Sequence, residues 1–149
     1  MRSRPQVLIV EDEPDVLLIL RLNLEAAGMD TSLAADGVTA LRRIERERPD
    51  LVVLDLMLPV LDGWSVLAEL CSRGDVPPVI VCSAKRAPRD VARAEELGAV
   101  AFVTKPFDVS VLVGTITDVL VGSGWHPEVE LGPTPVPLDL EGLEGLEPA

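Results

Sequence analysis

The chain has 149 residues, the length of one ordinary domain with some excess, and 48% of them are hydrophobic. Aromatics make up only 3% and Tyr is absent, so the core must be aliphatic, which suits a parallel sheet buried on both faces. The formal net charge of −12 opposes binding to the phosphate backbone of nucleic acid, and no apolar run is long enough to span a bilayer.

In chain order, Gln6 to Val10 is a short β-rich run that stops at the acidic cluster Glu11-Asp12-Glu13. That cluster also interrupts any signal-peptide pattern after the basic N-terminus, so a cytoplasmic protein is expected. Pro14 suits the first turn of a helix running to about Ala27, with Gly28 as its stop. Met29 to Leu33 reads as a weak second strand, and Gly37 to Arg48 as a helix closed by Pro49. Asp50 to Leu56 holds the apolar run Leu51-Val52-Val53-Leu54 and reads as a central strand. The loop Met57 to Gly63 carries a Pro and an Asp-Gly, both turn signals. A helix follows over Trp64 to Cys71, and Pro78 to Cys82 is the fourth strand. Pro88 to Leu97 is a helix ended by Gly98, Val100 to Val103 the fifth strand, and Asp108 to Val121 the last helix. Of the two cysteines, Cys71 and Cys82, neither has a metal-type partner nearby, and Cys82 reads as a buried small hydrophobe.

Five strands alternating with five helices predict an α/β domain, a doubly wound (βα)5 flavodoxin-like fold. Its sheet should be parallel, in strand order 2-1-3-4-5, with helices on both faces. The folded unit is expected over 1–121. From Gly122 the pattern fails: Gly122-Ser123-Gly124 reads as a flexible break, and prolines alternate at 133, 135 and 137. All 13 Lys and Arg precede Gly122, whereas six of the 25 acidic residues follow it. Residues 122–149 therefore read as an acidic, mostly disordered tail.

In such a sheet the ligand site lies beyond the carboxyl ends of the strands. Those ends carry Glu11 and Asp12, Asp55, Ser83 and Lys105. Clustered carboxylates repel unless a cation sits among them, and a hard divalent ion such as Mg²⁺ suits an all-oxygen set. Asp55 is then a candidate nucleophile able to form an aspartyl phosphate, Lys105 a charge neutraliser and Ser83 a hydrogen-bond donor to a phosphoryl oxygen.

The motifs Val10-Glu11-Asp12-Glu13, Leu54-Asp55-Leu56-Met57-Leu58-Pro59, Asp62-Gly63, Cys82-Ser83-Ala84-Lys85 and Thr104-Lys105-Pro106-Phe107 resemble those of response-regulator receiver domains. Their order and spacing match that family over about Val7 to Leu120. The resemblance implies a phosphoacceptor switch of a two-component or phosphorelay pathway, which phosphorylates and dephosphorylates itself but has no outside substrate. It implies Asp55 as phosphoacceptor, Asp12 as direct Mg²⁺ ligand, Glu11 as the acid acting through water and the Met57 carbonyl as a further ligand. Lys105 would pair with the phosphoryl group and Pro106 would be cis. Ser83 and Phe102 would be the switch residues, and Met57 and Lys85 would flank the hydrolytic water.

On a helical wheel, Val16, Ile19, Leu20, Asn23, Leu24 and Ala27 share one face of the first helix. Leu18 and Leu22 fall on the opposite face, flanked by Leu17, and Val111 turns outward on the last helix. The resemblance makes the first helix the surface that meets a sensor histidine kinase or phosphotransfer protein. Leu18 and Leu22 are the candidate contacts, with exposed leucine or a folded-back tail (Leu138, Leu140, Leu143, Leu146) as alternatives. The last helix lacks the arginines of many DNA-binding regulators, which puts the charged dimer face in doubt, although a homodimer is left open. No helix-turn-helix pattern is read within residues 122–149, so the output is expected from surface binding unless the chain is a piece of a longer one. Two other functions compete. A haloacid-dehalogenase-like phosphatase needs a second Asp where Met57 stands, and a receiver fold used as a phosphorylation-independent binding module would not need the full acid, hydroxyl and lysine set.

Overall fold

A computed structural model of the chain describes residues 3–85 and 87–127. The elements are β1 (Gln6–Val10), α1 (Pro14–Ala26), β2 (Asp30–Ala34), α2 (Gly37–Glu47), β3 (Leu51–Leu54), α3 (Gly63–Arg73), β4 (Val79–Ser83), α4 (Pro88–Glu96), β5 (Ala101–Thr104) and α5 (Val109–Gly122). The sheet is parallel throughout and its order is β2-β1-β3-β4-β5, the flavodoxin-like arrangement expected. Strands β2, β4 and β5 each begin one residue later than expected, and β3 is trimmed at both ends to its four apolar residues.

The period of two along each strand sorts the core into two layers. Val7, Ile9, Leu51, Val53, Ile80 and Cys82 face α1 and α5, where Leu20, Leu24, Leu112 and Ile116 cover them. Leu8, Val10, Val52, Leu54, Val79 and Val81 face the other way, under Ala40 and Ile44 of α2, Val66, Leu67 and Leu70 of α3, and Ala94 of α4. Asp36, Asp62 and Asp108 cap α2, α3 and α5 by accepting a backbone N–H from Thr39, Ser65 and Ser110 respectively. Helices α1 and α4 start instead at a proline with no side-chain cap. Among the described residues no helix is long and apolar enough to cross a membrane.

The boundary expected after Val121 needs correction. Helix α5 continues to Gly122, and Gly124 adopts φ +109. Its N–H donates to the Val121 carbonyl while the Trp125 N–H donates to that of Leu120. This is a Schellman motif, the same double bond that closes α1 at Gly28 and α4 at Gly98. Trp125 is thereby turned back into the α1–α5 core and is only 4% exposed. Its indole N–H donates to the Ser3 carbonyl at 3.2 Å, and its ring lies over Gly28. The Gly-Ser-Gly read as a break is thus a helix stop, and the packed unit reaches at least Trp125. The tail leucines from Leu138 onward lie outside the described residues.

Candidate functional site

The order β2-β1-β3 puts the switch point between β1 and β3, and two acids leave the sheet there. Glu11 follows β1 and its N–H donates to the Ala34 carbonyl. Asp55 follows β3 and its N–H donates to the Val10 carbonyl. These ladder bonds hold both residues at the sheet's carboxyl edge, and both are buried, at 3% and 6% exposure. The Asp12 side chain is exposed at the rim. One carboxylate oxygen each from Glu11, Asp12 and Asp55 lie within 4.8 Å of one another.

Lys105 reaches the same point from the end of β5. Its backbone N–H donates to the Ser83 carbonyl at 2.9 Å, which anchors it beside β4. Its Nζ donates to both Glu11 oxygens at 2.9 and 2.8 Å and to Asp55 Oδ2 at 3.1 Å. Asp55 Oδ1 accepts the Met57 N–H at 3.0 Å. Asp55 therefore carries one fixed donor on each oxygen, which sets the plane of its carboxylate.

Burial pushes the Glu11 carboxyl up to about 7, and its hydrogen bond with Asp55 acts in the same direction, with Lys105 opposing. Burial disfavours the Lys105 ammonium as well, but the Glu11 hydrogen bonds and the Asp55 charge outweigh it, so its pKa lies above the ordinary value. Three carboxylates facing one ammonium leave an excess of negative charge in a recess. That donor set fits a hard divalent cation. Burial also raises the Cys82 thiol to about 12, which makes it inert packing.

Ser83 ends β4 fully buried, with its Oγ accepting the Lys85 N–H at 3.2 Å. Phe102 is half-buried in β5 and packs on the α2–α3–α4 layer. Met57 is 56% exposed above the pocket. The Lys105–Pro106 bond is cis. On α1, Leu18 and Leu22 are 55% and 46% exposed, but Leu17, expected to flank them, is half-buried against the core. Val111 points outward.

Two features of the β3–α3 loop were not visible as chemistry in the sequence. Gly63, read as a turn residue, begins α3 pressed against the loop: an added Cβ would overlap the Asp55 carbonyl oxygen and lie 2.5 Å from the Leu56 Cα. Its N–H donates to the Leu56 carbonyl at 2.9 Å. Val60 sits at φ +67, where the Leu61 N–H donates back to Pro59, a costly conformation for a β-branched residue.

The family description that matches the sequence is the response regulator receiver domain, over residues 7–117. The chain belongs to that family. The receiver is 42% identical over 102 residues to the alkaline phosphatase synthesis transcriptional regulatory protein PhoP of Bacillus subtilis, covering 68% of this chain and 42% of that one. It is 41% identical over 118 residues to the transcriptional regulatory protein PrrA of Mycobacterium leprae, covering 79% and 51%. It thus spans about half the length of the curated relatives it matches. Among solved structures, the receiver domain of Francisella response regulator 1452 is similar with a TM-score of 0.78 and 30% identity, over 80% of this chain and 99% of that one. The receiver domain of a signal transduction histidine kinase from Syntrophus aciditrophicus is similar with a TM-score of 0.74 and 34% identity, over 85% and 98%.

Proposed function

We propose that this receiver is a phosphoacceptor switch in which Asp55 takes a phosphoryl group from a phosphohistidine of a sensor histidine kinase or phosphotransfer protein. The observation that carries the reading is the Asp55 carboxylate itself, buried, held by Lys105 at 3.1 Å and within 4.8 Å of the Glu11 and Asp12 oxygens. A carboxylate oxygen of Asp55 forms the new bond to phosphorus as the donor's nitrogen–phosphorus bond breaks, and the released imidazole takes up a proton. Lys105 exchanges part of its contact with Glu11 for the incoming phosphoryl oxygens, and the Ser83 hydroxyl donates to another. The Met57 N–H keeps Asp55 aligned, so catalysis is positioning and electrostatics. Glu11, Asp12, Asp55 and the Met57 carbonyl would hold Mg²⁺, which when bound supplies positive charge against the transferring group. Self-catalysed loss of the group follows by water attack, with Met57 and Lys85 flanking its path. We place this chemistry in the cytoplasm.

The test is incubation with phosphoramidate or acetyl phosphate and Mg²⁺ followed by intact mass measurement. We expect a gain of one phosphoryl group that Asp55→Ala abolishes; a gain that persists in Asp55→Ala overturns the proposal. The outward leucines of α1 are the proposed docking contact for the donor protein. Leu18→Ser with Leu22→Ser should slow transfer from a phosphohistidine protein while leaving acetyl phosphate labelling unchanged. Equal slowing with both donors would count against that contact.

A further inference from the structure

Helix α4 is the least anchored helix of the domain. Ala94 is its one fully buried residue, and it begins without a side-chain cap. A cation–π contact fastens it from outside: the Arg93 guanidinium lies over the Trp64 ring, 4.5 Å from its centroid. Trp64 is no ordinary surface residue. It follows Gly63, whose backbone is pressed on the carbonyl of Asp55 and the Cα of Leu56, and its ring is half-buried on the α2–α3–α4 core layer. A shift of the Asp55–Leu56 backbone cannot be absorbed at Gly63 without moving the start of α3 and the ring beside it. From the other end, α4 follows β4 through the short loop after Ser83, whose Oγ takes the Lys85 N–H.

We propose that the Arg93–Trp64 contact is a tether through which α4 senses the position of the Asp55 loop, in parallel with the connection from Ser83. While the loop rests as described, the ring holds Arg93 and α4 is pinned. When the loop shifts, the stacking geometry is lost, α4 is released and Arg93, with Arg89 one turn before it, becomes a free cationic pair on the exposed helix surface. The part of this concerning release on Asp55 modification rests on the function proposed above; the pinning of α4 in the unmodified protein does not.

Two measurements on the full chain separate the parts. The first is amide hydrogen exchange without phosphodonor. A cation–π contact of this kind at a partly exposed site corresponds to about a two- to fivefold change in the opening equilibrium. Arg93→Gln and Trp64→Leu should each speed exchange across α4 by that factor, leave β1 and β3 unchanged, and show no further effect when combined; Arg93→Lys should recover part of the protection. Unchanged α4 exchange in both single variants overturns the tether.

The second uses the two tryptophans, which give two indole N–H signals. Trp125 lies at the opposite end of the strands and serves as internal control. Beryllofluoride with Mg²⁺ should move the Met57 amide and the Trp64 indole signals and leave that of Trp125 in place. In Arg93→Gln the Trp64 signal should start displaced and move less. A shifted Met57 amide with a static Trp64 indole overturns the coupling while leaving the phosphoacceptor reading intact. No shift at Met57 would instead mark failure of that reading.

Discussion

Lys105 donates to Glu11 and to Asp55 at once, at 2.8 and 3.1 Å, although 94 and 50 positions separate it from them. One ammonium thus holds the carboxyl ends of β1, β3 and β5 together, and the domain's electrostatics turn on it. The ammonium is about one-fifth exposed and the acids are nearly dry, so its removal leaves two close carboxylates without compensation.

Lys105→Met should therefore lower stability at pH 8 by about 3 kcal/mol, the scale for breaking a buried pair by removing one partner. Glu11 can respond by taking a proton, so the loss should shrink toward pH 5.5. Mg²⁺ should restore part of it. Urea unfolding at the two pH values, with and without Mg²⁺, checks all three statements.

The raised Glu11 carboxyl sets a second expectation. Its folded value of about 7 lies above the ordinary 4.5, so the folded state favours the proton. The stability this group contributes is fully present below about 4.5 and declines as pH rises through about 7. Cation binding requires the ionised form and must expel that proton. Mg²⁺ affinity should rise about tenfold per unit up to pH 7 and flatten above, with proton release on binding. Calorimetric titration in buffers of different ionisation enthalpy measures both the affinity and the proton count. In Glu11→Gln the rise should vanish.

Gly63→Ala tests the close approach behind the phosphoacceptor. The added methyl meets backbone atoms of Asp55 and Leu56, which cannot swing aside as a side chain would. We expect a loss of about 1–3 kcal/mol together with slower labelling of Asp55, because α3 must back away from the loop. Ala is an acceptable helix residue, so a simple turn requirement would give no such coupled loss. Thermal melting and labelling rates on the same sample decide between them.

Trp125→Ala should cost about 3–5 kcal/mol, the scale of emptying a buried aromatic site. Gly124→Ala should cost less, through the positive φ alone. A domain that ended at residue 121 would be indifferent to both. Urea melts of the two full-length variants distinguish these outcomes.

Much of this was legible because the signals are local. Strands β1, β3 and β4 are built on the apolar runs Val7 to Val10, Leu51 to Leu54 and Val79 to Cys82, and every acid of the pocket sits one or two positions past such a run. Once topology put β1 beside β3, convergence of Glu11, Asp12 and Asp55 followed. The edge strands carry weaker signals: in β2 only Ala34 is fully buried and in β5 no residue is. Strand ends were the least legible feature everywhere, since the interior strands β3 and β4 also differ from expectation by one or two residues. What stayed hidden depends on who packs against whom. Gly124 carries the same stop signal as Gly28 and Gly98, but the small residues Gly122 and Ser123 before it disguised it as a linker, and the Trp125 that follows was the missed clue. Arg93 lies over Trp64 of another helix, and no window of sequence around either contains both. Gly63 meets Asp55 and Leu56, and Val60 takes its positive φ between Pro59 and Leu61, within one loop; the turn residues there mark a turn but not how closely the backbone folds on itself. Topology also brought Lys105 to the acids, but its double bond to Glu11 was not foreseen, because Glu11 was read only as an acid beside the metal.

The most direct test of the central claim is to locate the added group. After treatment with phosphoramidate and Mg²⁺, reduction of acyl phosphate with borotritide and peptide mapping should place the label on residue 55 alone. It should disappear on chelation of the metal and fall sharply in Asp12→Ala. Label on another residue, or labelling of residue 55 that is indifferent to both the metal and Asp12, would contradict the account.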